Sequence, residues 1–214
     1  MTEKEARQLV KNAGIRLIEE NLVQGTWGNI SLRLDEERML VTPSGLDYIR
    51  MSLDDLVVVN MRTMEYSSAV KPTSEKKVHA LVLLSRPDVN AVIHSHPRNC
   101  SAFAAARCDL PVLSDYARSI LGDKVKVSQY GLPGTGKFTQ STVTALGGDN
   151  ACIMANHGAL ACAADLDGAF EIMRVLEASA KEYIEKRVKE LAEKNSYSRE
   201  DLFSYFINTY SKNL

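Results

Sequence analysis

Two short apolar runs, AVIHSHP at residues 91–97 and ACIMANHGA at 151–159, each end in histidine. Runs of this length bounded by turn residues read as buried strands. Two strands that end alike can converge at one edge of a single sheet, and that convergence constrains everything between them. Side chains two apart on a strand share a face, so His94 and His96 point the same way. Neutral imidazoles so placed suit a divalent ion such as zinc, which in catalytic sites takes three protein ligands and keeps one position open. His157 is the natural third ligand. The alternative is that these are ordinary strand-end histidines bonded to solvent or to carbonyl groups. Because three of the chain's four histidines end buried strands, the metal reading is preferred.

The rest of the pattern supplies a sheet and its cover. Thr2 followed by Glu5 is a capping box, and apolar positions recur at helical spacing until the helix fades near Gly25. NISLRL and MLVTP alternate about a DEER turn and read as a hairpin, and DLVVVN as a further strand. Thr73 or Ser74 caps the helix SEKKVHALVLLSR, and Pro87 stops it. Pro97 suits the first turn of a helix through 108. KVKVSQY alternates again. GLPGTGK links into a helix over 139–146, and LACA after the HGA loop offers another strand. A long amphipathic helix spans 165–194, and 195–214 reads as a helical tail carrying Tyr205, Phe206 and Tyr210. Hairpins mixed with helices indicate a mixed or antiparallel sheet covered by helices, in one α/β domain.

Composition narrows the function. A chain of 214 residues holds one domain with a sizeable core. Twenty-six bases against 27 acids leave no basic face for nucleic acid. Cys100, Cys108, Cys152 and Cys162 have no paired spacing and read as reduced, buried thiols of a cytoplasmic protein. The charged N-terminus has no signal-peptide core, and no run approaches a membrane span.

Glu75 opens a helix, where an acid gains from the dipole, and His79 stands one turn on, able to hydrogen-bond Glu75 or simply pack. GTWGNIS (25–31), TPSG (42–45) and PTS (72–74) each set hydroxyls or bare amides beside a turn, and a helix start favours an anion such as phosphate. GLPGTGK lacks the spacing and terminal Lys-Ser/Thr pair of a Walker loop.

With GTWGNIS, TPSG, KPTSE, VIHSHP and NHG in this order, the chain resembles the class II aldolase/adducin family, and within it the zinc-dependent sugar-phosphate aldolases. The likeness runs from the first helix to about residue 190. It implies a three-layer α/β/α fold with a mostly antiparallel central sheet. It also implies a homotetramer with active sites between subunits, and cleavage of a ketose phosphate. By motif, His94, His96 and His157 would bind one zinc ion per subunit. Glu75 would be the acid/base and the fourth ligand before substrate arrives. Gly28, Asn29, Ser44, Gly45, Thr73 and Ser74 would hold the substrate phosphate. The related epimerases usually have Asp where this chain has Glu75, which favours an aldolase. Two departures fall at the aldehyde end. Asp115 occupies the place of the family tyrosine donated by a neighbouring subunit, with Tyr116 one step later, and Pro133 precedes Gly134-Thr135 where an aromatic is common. Tyr116 is the candidate for the aldehyde end. Epimerase, dehydratase or decarboxylase chemistry and a non-catalytic adducin-like module are the alternatives.

Overall fold

The computed structural model describes residues 1–23, 25–195, 198–201, 203 and 204. Helix α1 (Glu3–Glu19) begins on the expected capping box: Thr2 Oγ1 accepts the Glu5 N–H at 3.3 Å, and Glu5 Oε2 accepts the Thr2 N–H at 2.7 Å. It ends earlier than Gly25, because Asn21 takes a left-handed φ of 55° and turns the chain away. Strands β1 (Asn29–Arg33) and β2 (Arg38–Val41) form the expected hairpin. Asp35 closes its turn by accepting the Glu37 and Arg38 N–H groups and pairing with the Arg38 guanidinium. Next come β3 (Val57–Asn60), helix α2 (Lys76–Ser85), β4 (Ala91–Ser95) and helix α3 (Arg98–Ala106). A two-residue pair, β5 (Leu110–Pro111) and β6 (Lys124–Val125), brackets helix α4 (Asp115–Leu121). Helix α5 (Gly136–Leu146), β7 (Ala151–Met154), β8 (Gly158–Ala163) and helix α6 (Leu166–Asn195) complete the order.

The central sheet runs β3-β2-β1-β4-β8-β7, and every neighbouring pair is antiparallel. Alternation along the strands sends two sets of side chains to opposite faces. Ile30, Leu32, Leu40, Ala91, Ile93, Ala159 and Ala161 pack with α1, α3, α4 and α6. Met39, Val41, Val57, Val59, Val92, Leu160 and Cys162 pack with α2 and α5. Three layers result, α/β/α, as expected. On the α6 side β8 carries only alanines, at 159, 161 and 163, so the long helix can lie directly on the strand. Glu177 of α6 also caps α3, its carboxylate accepting the N–H groups of Asn99 at 2.9 Å and Cys100 at 3.0 Å. Pro97, at the α3 N-cap, offers no side chain for this.

Several local details differ from the sequence reading. Glu75, not Thr73 or Ser74, occupies the N-cap of α2, while the Thr73 hydroxyl accepts the Glu75 N–H at 3.2 Å. Helix α5 starts at Gly136 rather than 139, because Thr135 Oγ1 accepts the Phe138 N–H at 3.2 Å. Helix α4 was not anticipated: at seven residues it is too short to show a period, and the Ser114 hydroxyl nucleates it by accepting the Ala117 N–H. All four cysteines are free, but Cys108 is exposed rather than buried. Of the tail, residues 199–201, 203 and 204 are helical, and Tyr205, Phe206 and Tyr210 lie outside the described residues. Among the described residues no helix is long and apolar enough to cross a membrane.

One packing contact ties the helical layer to the cleft described below. Gly14, inside α1, lies against the ring of Tyr48, and a β-carbon there would overlap it. Tyr48 is buried, and its hydroxyl donates to the Gly28 carbonyl at 2.9 Å. Gly14→Ala therefore sets a helix-propensity gain of up to about 1 kcal/mol against overpacking of about 1–3 kcal/mol. A net loss of stability in urea denaturation is expected, and a more stable variant would contradict this packing.

Candidate metal centre and anion cleft

Antiparallel pairing decides what meets at the top of the sheet. β4 rises to that edge between β1 and β8, so His94 stands opposite Asn29 on one side and Leu160 on the other. β7 and β8 turn over at the same edge. Asn156 sits in the loop at a φ of 55°, which asparagine tolerates better than most residues, and His157 follows it. The carbonyl of Thr42, just after β2, accepts the Thr73 N–H at 3.0 Å, and Pro43 bridges Pro72. Those two contacts bring the N-terminus of α2 over the sheet edge.

His94, His96 and His157 converge there, each offering a ring nitrogen within 4.8 Å of the others. The rings of His94 and His157 are stacked with centroids 4.7 Å apart, and His96 meets both edge-on. His94 Nδ1 donates to the Ala159 carbonyl at 2.9 Å, which leaves the Nε2 lone pair bare. That nitrogen is buried with no partner among the described residues, and it lies 3.6 Å from Glu75 Oε1. Glu75 Oε2 is likewise buried and unpartnered among them. The His157 Nε2–H donates to Glu75 Oε1 at 3.1 Å.

Protonation matches this grouping. Burial lowers the pKa of His94, and burial with the neighbouring rings of His94 and His157 brings His96 down to about 3. Burial alone would raise the Glu75 carboxyl, but His94, His157 and His79 outweigh it and bring it to about 2. At neutral pH the pocket thus holds uncharged His94 and His96 rings beside a carboxylate. Two bare electron-pair donors facing each other in a buried site are costly unless a cation lies between them. Three nitrogens and one oxygen are the donor set of a first-row divalent metal, and the residues present fit one.

A cleft of about 510 Å³ opens over this cluster. All six residues expected at the phosphate, Gly28, Asn29, Ser44, Gly45, Thr73 and Ser74, line it together with Glu75, His96 and His157. His94, 1 % exposed, forms the layer behind them. Gly28 has a φ of 101°, and a β-carbon there would come within 2.8 Å of the His94 carbonyl, so only glycine lets the loop lie on the ligand strand. Trp27 and Asn156 also line the cleft, and neither was singled out from the sequence. Trp27 is 60 % exposed, with its ring 5.5 Å from that of His96. Its place inside GTWGNIS was the available signal.

Three residues weighed for the site make other contacts. Tyr116, on α4, is 63 % exposed, is not a cleft residue of its own chain, and donates its hydroxyl to Glu171 at 2.8 Å. Asp115 pairs with Arg118. The His79 ring does not hydrogen-bond the Glu75 carboxylate: it reaches Ser31 and Asn29 instead, and only the His79 backbone N–H donates to the Glu75 carbonyl.

Comparison with known proteins agrees with this geometry. Over 181 residues the chain is 29% identical to an L-fuculose phosphate aldolase of Escherichia coli O6:H1, covering 85% of this chain and 83% of that one. It is also 29% identical over 188 residues to a 5-deoxy-D-ribulose 1-phosphate aldolase of Bacillus thuringiensis serovar kurstaki, covering 87% of each. A solved L-fuculose 1-phosphate aldolase superposes with a TM-score of 0.81 at 32% identity, covering 86% of both chains. The family model for the class II aldolase and adducin N-terminal domain matches residues 8–184. The chain belongs to that family.

Proposed function

We propose that this chain is a zinc-dependent aldolase acting as a cytoplasmic homotetramer with one ion per subunit. It reversibly cleaves a ketose 1-phosphate such as L-fuculose 1-phosphate into dihydroxyacetone phosphate and a short aldehyde such as lactaldehyde. One observation carries the proposal: His96, His157 and Glu75, with His94 directly behind them, meet at one wall of a cleft whose other wall is hydroxyls, an amide side chain and glycine backbone.

His94, His96 and His157 would hold the ion, with Glu75 completing the set before substrate enters. Bound there, it supplies Lewis acidity that stabilises negative charge developing on the substrate's carbonyl oxygen as the carbon–carbon bond opens. Gly28, Asn29, Ser44, Gly45, Thr73 and Ser74 grip the phosphate, the part of the substrate that does not react. That grip fixes the orientation of the reacting carbons. In the synthetic direction the Glu75 carboxylate takes a proton from the carbon beside the carbonyl, and in cleavage the same oxygen returns it. At the aldehyde end the hydroxyl of Tyr116 of a neighbouring subunit is assigned to give its proton to the aldehyde oxygen in synthesis, and the phenolate so formed takes that proton back in cleavage. Tyr116 is exposed on α4, and entering another chain's cleft would release its hydroxyl from Glu171.

Gly158 keeps room for the ligand rings. A β-carbon there would come within 2.8 Å of His94 Cε1, 3.4 Å of His96 Cε1 and 2.5 Å of the Ser95 carbonyl. Gly158→Ala is expected to weaken zinc binding about tenfold or more, read by chelator competition, by analogy with the loss of groups that orient metal ligands. Glu75→Gln should retain zinc yet lower kcat about 10²- to 10⁴-fold, measured as release of dihydroxyacetone phosphate from a panel of ketose 1-phosphates. Near-normal turnover in that variant removes Glu75 as the base. A product that keeps its full carbon skeleton replaces cleavage with epimerisation.

A further inference from the structure

His79 has no role in the scheme above, yet it is fully buried beside the cleft with both ring nitrogens engaged. Helix α2 carries it one turn beyond Glu75, over β1. Nδ1 lies 2.7 Å from Ser31 Oγ, and Nε2 lies 2.5 Å from Asn29 Oδ1. Ser31 and Asn29 are two apart on β1, so a single ring can span both. An amide oxygen only accepts, so Nε2 carries the ring proton, and Nδ1 accepts from the Ser31 hydroxyl. Burial pulls the His79 pKa down to about 4, so the ring is neutral and holds a single proton.

The consequence falls on Asn29, which is 5 % exposed and lines the cleft. A free asparagine amide flips between presenting its oxygen and its nitrogen. An oxygen facing a phosphate dianion repels it, whereas N–H groups bind it. With Oδ1 held by His79, the amide nitrogen is the polar end left over, and no hydrogen bond among the described residues claims it.

We propose that His79 is a positioning residue for substrate phosphate: it holds Asn29 Oδ1 so that the Asn29 N–H groups face the anion, while the Ser31 hydroxyl satisfies the other ring nitrogen. The proposal rests on the aldolase reading above.

A double-mutant cycle tests it, using zinc-loaded full chains of the wild type, His79→Leu, Asn29→Ala and the double variant. Calorimetry measures affinity for dihydroxyacetone phosphate and inorganic phosphate, alongside zinc content, KM and kcat. A hydrogen bond to a charged group corresponds to a factor of about ten or more in affinity. His79→Leu should therefore weaken both phosphates about tenfold with zinc content unchanged. The double variant should be no worse than Asn29→Ala alone. His79→Gln, whose amide nitrogen can still donate to Asn29, should recover most of the affinity. Unchanged phosphate affinity in folded His79→Leu, or losses that add in the double variant, would overturn the assignment. Nitrogen NMR of the wild-type chain provides a readout that survives if His79→Leu does not fold. An Nε2–H tautomer supports the proposal, and an Nδ1–H tautomer overturns it. If no chain binds either phosphate, the aldolase reading fails, while the tautomer still decides the assignment of His79.

Discussion

The register of β4 between β1 and β8 is the constraint on which the cleft depends. It sets His94 opposite Asn29 on one side and beside the β7–β8 turn on the other. A slip of one residue would send His94 and His96 to the α6 face, among alanines and away from Glu75. Burial on both faces makes such a slip costly, because every apolar side chain of the strand would change layers with them. The register therefore comes from ordinary hydrophobic packing, and the histidine cluster inherits it.

Around that register, small residues let groups come close. Gly158 admits two imidazoles, Gly28 lets its loop lie on β4, and the alanine face of β8 seats α6. Close approach excludes water, and excluded water leaves polar atoms that must find partners within the protein. Most do. Among the described residues five buried side-chain atoms do not: Glu20 Oε2, Ser95 Oγ, Thr142 Oγ1, His94 Nε2 and Glu75 Oε2, of which the last two lie in the same cluster, where a cation would satisfy both.

Much of the architecture was legible in the chain. The capping box of α1, the β1–β2 hairpin, the long α6 and the strand endings in histidine all depend on near neighbours along the sequence. Less legible were α4, the true start of α5 and the N-cap of α2, where one hydroxyl or one backbone amide moves a boundary by a residue or more. His79 shows the limit most clearly. At one helical turn from Glu75 it reads as that residue's partner, but the partners of its ring are Ser31 and Asn29 on β1, which sheet pairing, not chain order, brings within reach.

The sequence by itself determined which residue types are available: three imidazoles at strand ends, an acid at a helix start, and hydroxyls and glycines in three turns. It did so because strand period, capping and turn chemistry are local. Only the tertiary structure decided that Asn29 faces His94, that Glu75 reaches His157, and that Tyr116 stands away from its own chain's cleft. Those relations join segments far apart in the chain, and they arise from the layering of two helical faces on one antiparallel sheet.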